Sequence, residues 1–168
     1  MKTVVLTLMF ILGLSLNKIA AQEYTVSFEN IGPFKLQMEL PEAQKLTKTK
    51  LTGNGVSTVV ENDNKVQEIN YYGEKIGIVF FKSPKYDALP KGTLSIVYLS
   101  TKSAKFKTKE GIGIGSDKAK ILSVFKNKNY SIQKAKNYLE VINDSKIMKF
   151  ELDKDKVSKI SIMPNSAG

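Results

Sequence analysis

The chain contains no cysteine, so no disulfide bond can hold its fold together. Its 168 residues are enough for one hydrophobic core, and the stability of the fold has to come from burial of apolar side chains in that core. Histidine and tryptophan are also absent, and all 26 basic residues are lysine. The composition therefore excludes a thiolate nucleophile, a histidine-based catalytic triad and the cysteine or histidine ligands of structural zinc sites.

The N-terminal residues have the order of a secretory signal peptide. A charged start precedes an apolar run from Val4 to Leu16, and small residues follow up to Ala21. The run is shorter than the roughly 20 apolar residues that a spanning helix needs. We therefore predict that residues 1–21 are a signal peptide and that residues 22–168 form one exported domain, periplasmic or extracellular, with no transmembrane segment after cleavage.

Positive charge is concentrated in the C-terminal half. Residues 22–90 contain 8 lysines and 9 acidic residues, whereas residues 91–168 contain 16 lysines and 7 acidic residues. A basic half can attract an acidic protein or an anionic membrane surface, and the alternative is a solvated surface that keeps the chain soluble. A nucleic-acid partner is excluded because the chain has no arginine for bidentate recognition. The candidate basic binding residues are Lys102, Lys105, Lys107 and Lys109.

Alternation of apolar and polar residues predicts many strands. It occurs over residues 24–29, 34–40, 56–61, 65–72, 75–81, 93–99, 137–142, 146–152 and 157–163. One short helix is predicted from about Pro41 to Lys48, since proline is tolerated in a first helical turn. A second helix is predicted up to Phe125, with Ser116 as its N-cap. Residues 131–136 fit either a helix or a strand.

An offset of 78 residues relates two parts of the sequence. It places Leu36 on Ile114, and the same offset places Ala43 on Ile121. The offset predicts two related halves, about 22–100 and 101–168, in a tandem repeat. The predicted fold class is α+β, with an antiparallel sheet that carries short helices on one face.

Two segments carry a family resemblance. The segment Ile31-Gly32-Pro33-Phe34-Lys35-Leu36, with Glu42-Ala43 after it, resembles an opening written IGPxKLGM…EEA, and Gly111 to Val124 resembles a segment written GIGIGSTKEEV. Both are found in β-lactamase-inhibitor-protein-like domains and in small outer-membrane assembly lipoproteins. The resemblance implies helices packed on one face of an antiparallel sheet, and binding of proteins or envelope components rather than catalysis. Gln37 stands where a glycine is expected, and the lipidation cysteine of the lipoproteins is absent.

Two adjacent aromatic pairs are further candidate binding residues. They are Tyr71 with Tyr72 and Phe80 with Phe81, both on predicted strands. Alternation along a strand sends one member of each pair inward and the other outward. Two aromatic rings could therefore face one surface as binding anchors, and the alternative is that a further layer covers that face.

The glycine-rich run from Gly111 to Gly115 is not a phosphate loop. Ser116 and Asp117 stand where a dinucleotide fingerprint or a P-loop needs glycine or lysine. A structural turn is the favoured interpretation, and the alternative is an anion held at the following helix N-terminus with help from Lys118. No serine–lysine spacing typical of a catalytic pair occurs in a supporting context.

The sequence thus predicts no catalytic residue, no cofactor and no metal ligand. We expect a non-enzymatic binding or envelope-associated module whose partner is another protein or an envelope component. The alternatives are a secreted hydrolase-type enzyme without histidine or cysteine, and a peripheral binder of anionic membrane surfaces.

The signal-peptide prediction is tested by N-terminal sequencing of exported protein. We expect the mature chain to begin at Gln22, because small residues at the cleavage site fit the signal peptidase. A mature chain that still begins at Met1 would contradict the prediction.

Overall fold

A computed structural model describes residues 24–52, 66–82, 92–126, 128–143 and 145–165. The strands are β1 (Thr25–Val26), β2 (Asn30–Ile31), β3 (Phe34–Lys35), β4 (Gln67–Tyr71), β5 (Glu74–Lys82), β6 (Leu94–Thr101), β7 (Lys107–Thr108), β8 (Ser131–Lys134), β9 (Tyr138–Asn143), β10 (Lys146–Asp153) and β11 (Lys156–Pro164). The helices are α1 (Leu40–Lys45) and α2 (Lys118–Phe125). Neither of these helices is long and apolar enough to cross a membrane.

The large sheet has the strand order β4-β5-β6-β11-β10-β9-β8, and its neighbouring strands are all antiparallel. Two-residue turns at Tyr72-Gly73 and Lys154-Asp155 close two of its hairpins, and all four residues have positive φ. Such turns match the right-handed twist of the strands that they join. In the middle of the sheet, Leu99–Thr101 of β6 pairs with Ile160–Ile162 of β11.

The inner face of the large sheet forms the hydrophobic core. Every second side chain along its longer strands is almost completely buried there, as the residues Ile76, Ile78, Phe80, Ile96, Leu99, Leu139, Val141, Met148, Phe150, Ile160 and Ile162 show. Burial of one such side chain contributes about 1.5–3 kcal/mol. This core supplies the stability that disulfide bonds provide in many small exported domains.

A second, small sheet covers the inner face. Its strand order is β3-β2-β1-β7, and the pair β1 and β7 is parallel, with Thr25 opposite Lys107. Three of its side chains, Val26, Ile31 and Phe34, are buried in the same core cluster as the large sheet. Phe106, just before β7, is also fully buried. The core is therefore closed by strands and by the segments that flank them.

The predicted α+β class is wrong, because 51% of the described residues lie in strands and only 12% lie in helices. The helices have six and eight residues, and they contribute only Ala43, Ile121 and Phe125 to the buried core. Helices this short bury too little surface to form a layer. The layer on the inner face is the small sheet, and its parallel pair also departs from the predicted antiparallel arrangement.

Several predicted boundaries also change. Residues 34–40 are not one strand: β3 ends at Lys35, and Gln37 takes a positive φ of 65°. The N-cap of α2 is Asp117 rather than Ser116, whose hydroxyl accepts a hydrogen bond from the Gly113 N–H at 3.0 Å. Residues 131–134 form a strand, and the predicted strand 56–61 lies outside the described residues.

The turns that precede the helices make the same backbone hydrogen bonds, 78 residues apart. In the first turn, the Gln37 N–H donates to the Ile96 carbonyl at 2.7 Å, and the Ile96 N–H donates to the Met38 carbonyl at 2.9 Å. In the second turn, the Gly115 N–H donates to the Val157 carbonyl at 2.8 Å, and the Val157 N–H donates to the Ser116 carbonyl at 2.9 Å. Each turn therefore fixes its helix to the last strand of its own part of the chain. The wider prediction of two related halves stays a prediction.

We expect opposite effects from two substitutions in these turns. Gly115 has φ 84°, and no atom lies within 4 Å of a Cβ added there, so Gly115→Ala should cost about 1 kcal/mol through backbone strain alone. Gln37 already carries that strain and its side chain is exposed, so Gln37→Gly should be neutral or stabilising by up to about 1 kcal/mol. Urea denaturation measures both changes, and a loss of stability from Gln37→Gly as large as that from Gly115→Ala would contradict the expectation.

Candidate functional site

The outer face of the large sheet carries the side chains that alternate with the core. Val79 and Tyr98 are 4% and 7% exposed, yet neither belongs to the core cluster. Both helices and the small sheet contribute to that cluster, so they lie on the inner side. The outer face of the large sheet is thus the face that neither the helices nor the small sheet covers.

Three apolar side chains stand next to one another on this face. Ile147 of β10 lies opposite Ile142 of β9 and opposite Met163 of β11. All three are half-buried, and none of them packs against the core. Their neighbours along the strands, Val141, Met148 and Ile162, point to the core instead. We call Ile142, Ile147 and Met163 the apolar patch.

A cleft of about 660 Å³ opens on another part of the outer face, over strands β4, β5, β6, β10 and β11. It is lined by Val66, Glu68, Lys75, Gly77, Ser100, Thr101, Lys102, Glu151 and Lys159. Its floor includes Gly77 and Ser100, which are opposite each other on β5 and β6. The lining combines three lysines and two glutamates with small polar side chains.

Ion pairs neutralise most of the charge in the cleft. Lys75 Nζ lies 3.1 Å from a carboxylate oxygen of Glu68, and Lys159 Nζ lies 3.1 Å from one of Glu151. Burial by itself would lower the pKa of Lys159, but interactions with Tyr98 and Glu151 outweigh that effect and raise it. Lys159 is therefore held in its charged form.

A polar cluster lies beside the cleft. The Tyr98 hydroxyl and the Ser161 hydroxyl are 2.9 Å apart, and the Lys159 ammonium lies 5.9 Å from the centre of the Tyr98 ring. Ser161 is only 1% exposed, so a substrate cannot reach its hydroxyl. A lysine that is held protonated cannot serve as a general base for that hydroxyl either. The hydrogen bond and the cation–π contact of this cluster hold β6 and β11 together.

The candidate aromatic residues do not share one surface. Phe80 is buried in the core and Phe81 is half-buried on the outer face. Tyr71 packs edge-on against the Phe34 ring, with 5.8 Å between ring centres, whereas Tyr72 is 69% exposed in the turn before β5. Tyr72 and Phe81 are therefore at opposite ends of β5, and they do not form a joint anchor.

The four candidate lysines are also dispersed. Lys102 lines the cleft, and Lys105 pairs with Glu74 at 2.7 Å. Lys107 lies in β7, at the edge of the small sheet, and Lys109 follows it in an exposed turn. Of this set, only Lys102 belongs to the candidate site.

The N-terminus of α2 is not an attractive anion site. Asp117 is its N-cap, and Asp155 lies beside it, with an oxygen 3.4 Å from Lys118 Nζ. Asp117 also pairs with Lys156 at 2.8 Å. The carboxylates repel an anion at this position. Over the described ranges, no group of three or more acidic side chains gathers in a way that could hold a metal ion.

Sequence reasoning did not identify the apolar patch or the cleft. The patch leaves a trace in the sequence, since Ile142, Ile147 and Met163 are apolar at positions where alternation predicts polar side chains. The cleft leaves no such trace. It depends on the register that places Gly77 next to Ser100, and register is not visible in a local pattern.

The charge pair in the cleft gives a pH-dependent prediction. The pKa of Lys159 is raised in the folded protein, so its contribution to stability is complete at neutral pH and is lost as the pH rises through the folded pKa. We expect Glu151→Gln to lower the free energy of unfolding by about 0.5–1 kcal/mol at pH 7, and the difference from wild type to shrink above about pH 10.5. Urea denaturation over this pH range measures the effect.

The matched control is Glu68→Gln, because Glu68 and its partner Lys75 are both largely exposed. This control should change stability by less than about 0.5 kcal/mol at any pH. A Glu151→Gln difference that stays constant to about pH 11.5 would contradict the assignment of Lys159.

No protein-family model matches the sequence, and no curated protein or solved structure matches it either. The resemblance of residues 31–36 and 111–124 to small exported bacterial domains therefore stays a prediction. Function has to be inferred from the chemistry of the molecule's own surface.

Proposed function

We propose that the chain is an exported, non-enzymatic binding module that engages another protein with the outer face of the large sheet. The observation that carries this proposal is the apolar patch: three side chains on adjacent strands that are half-buried and do not pack on the core. Apolar side chains grouped in this way are typical of protein-binding surfaces. Polar and charged groups border the patch, as they border the apolar centre of most interfaces.

The partner is expected to be an acidic protein. Residues 22–168 contain 24 lysines and 16 acidic residues, and lysines line the cleft on the same face as the apolar patch. A complementary partner presents apolar side chains to the patch and carboxylates around them. Such complementarity mainly raises the association rate and the specificity of a complex.

The alternatives have less support. A hydrolase needs an accessible nucleophile with a free base, and Ser161 and Lys159 do not provide them. A membrane binder needs many unpaired lysines on one face. Of the fifteen described lysines in the basic half, at least seven pair instead with carboxylates: Lys105, Lys118, Lys128, Lys146, Lys149, Lys156 and Lys159.

Affinity capture with matched variants tests the proposal. Immobilised mature protein is incubated with the exported fraction of its source cells, and the captured protein is quantified. We expect Ile147→Lys to reduce capture about tenfold or more, because a lysine at the centre of the patch desolvates poorly against an apolar partner.

The control variant is Leu46→Lys, which replaces an exposed leucine just after α1, away from the outer face. This variant should capture as much partner as wild type does. Circular dichroism confirms that both variants are folded. If nothing is captured, or if both variants capture equally, the proposed function is wrong.

A further inference from the structure

We propose that β8, an edge strand of the large sheet, binds an extended acidic segment of the partner protein as an additional strand. This inference rests on the proposed function, because it names the way in which the partner is bound. In strand addition, main-chain hydrogen bonds supply affinity and alternate side chains supply specificity. The proposed contacts on β8 are the main-chain groups of Ile132 and Lys134.

The backbone of β8 turns alternate residues away from the sheet. β8 stands at the end of the strand order, and within the described part of the chain it pairs with β9 alone. The Ala135 N–H donates to the Tyr138 carbonyl at 3.0 Å, which sets the alternation of the ladder. In an antiparallel pair, every second residue turns its main-chain groups to the partner strand. The N–H and C=O groups of Ile132 and Lys134 therefore point away from β9.

This side of β8 is accessible. Ser131, Gln133 and Lys134 are exposed, and Ile132 is half-buried with its side chain packed against the core. Bulges and covering elements close many edge strands to further pairing. β8 pairs with β9 without a bulge, and no other described strand lies along it. An added strand can therefore extend the ladder and cover the rest of the Ile132 side chain.

The charge around β8 favours an acidic segment. Residues 126–139 contain four lysines and no acidic residue. Three of these lysines, Lys126, Lys134 and Lys136, are exposed and form no ion pair within the described ranges, and the fourth is already paired with a carboxylate. Lysines on an edge strand disfavour pairing with a second copy, because like charges would then face each other. The same lysines attract a strand that carries carboxylates.

The edge is continuous with the apolar patch. One row of outward side chains crosses four adjacent strands in the order Met163, Ile147, Ile142 and Ser131. The next outward side chain in this row would belong to the added strand. Neighbouring strands lie about 4.8 Å apart, so the added strand would run about 10 Å from β9. One partner can therefore cover the apolar patch and pair with β8 at the same time.

The opposite edge strand, β4, lacks these features. It contains Glu68 and no lysine, so it offers an acidic strand no charge complementarity. At its start, the Gln67 side chain exchanges hydrogen bonds with the main chain of Thr52. β4 therefore serves as an internal control for binding at β8.

Hydrogen exchange of the mature protein, followed by NMR, tests the proposal. The probe is the blocked peptide acetyl-Glu-Val-Glu-Val-Glu-Val-Glu-amide. We expect a saturating amount of this peptide to slow exchange of the Ile132 and Lys134 amides about tenfold or more, because both become hydrogen-bonded. Exchange of the β4 amides should not change.

Two matched peptides separate charge from strand formation. In the first, lysine replaces every glutamate, and the basic edge should repel it. In the second, proline replaces every valine, so the charges remain but the peptide cannot form a strand. Neither peptide should protect the two β8 amides, and protection by either of them would overturn the proposal.

Two substitutions at Lys134 separate the backbone from the side chain. Lys134→Ala removes the charge alone, whereas Lys134→Pro also removes the outward N–H, at a position where an edge strand tolerates proline. We expect peptide binding to weaken about threefold with alanine and about tenfold with proline. Circular dichroism confirms that both variants are folded. Equal weakening by the two substitutions would contradict main-chain pairing.

The acidic peptide and the captured partner give separate answers. The proposal is overturned if the acidic peptide leaves exchange of the Ile132 and Lys134 amides unchanged. Ile147→Lys should bind the peptide as wild type does, because it changes only the apolar patch. A captured partner that does not protect these amides would reject the added strand alone. Protection by the peptide without any captured partner would reject the proposed function alone.

Discussion

The ladder between β6 and β11 is the interaction on which the rest of the structure depends. Residues Leu99–Thr101 and Ile160–Ile162 join the strands before the ladder and the strands after it into one sheet. Leu99, Ile160 and Ile162 fill the core beneath the ladder, while Ser100 and Ser161 face outward. Without this ladder the inner face would be two separate apolar surfaces, and the single core cluster would be divided between them.

The same ladder organises the outer face. The serine side chains at the centre of the ladder are small, so the larger neighbouring side chains determine the shape of the outer face. Tyr98 reaches over to Ser161 and Lys149 reaches to Glu140, whereas at Gly77 the side chains of Ser100 and Val66 fill the space that a Cβ would need. The cleft is lined by residues on both sides of the ladder, and the apolar patch lies on β9, β10 and β11.

Local patterns predicted the strands of the large sheet well, because one face of that sheet is buried and alternation records it. Phe80 and Phe81 illustrate this, with one ring in the core and the other on the outer face.

Elsewhere, contacts between distant parts of the chain made predictions from local patterns wrong. Gln37 alternates correctly for a strand, yet it leaves the strand to pair with Ile96, far along the chain. The N-cap of α2 is Asp117 rather than the predicted Ser116, and Asp117 also contacts β11 through a backbone bridge and an ion pair with Lys156. The site depends on cross-strand register, which composition and periodicity do not contain.

The parallel pair of β1 and β7 has a consequence for the order of folding. Val26 lies beside Thr108, so the earliest described strand is completed only by residues that are synthesised much later. Contacts between distant parts of a chain form slowly, because the loop between them has to close first. A ribosome or a translocation channel that releases the chain from its N-terminus therefore delivers β1 unfinished, and the small sheet closes only after more than half of the polypeptide has emerged.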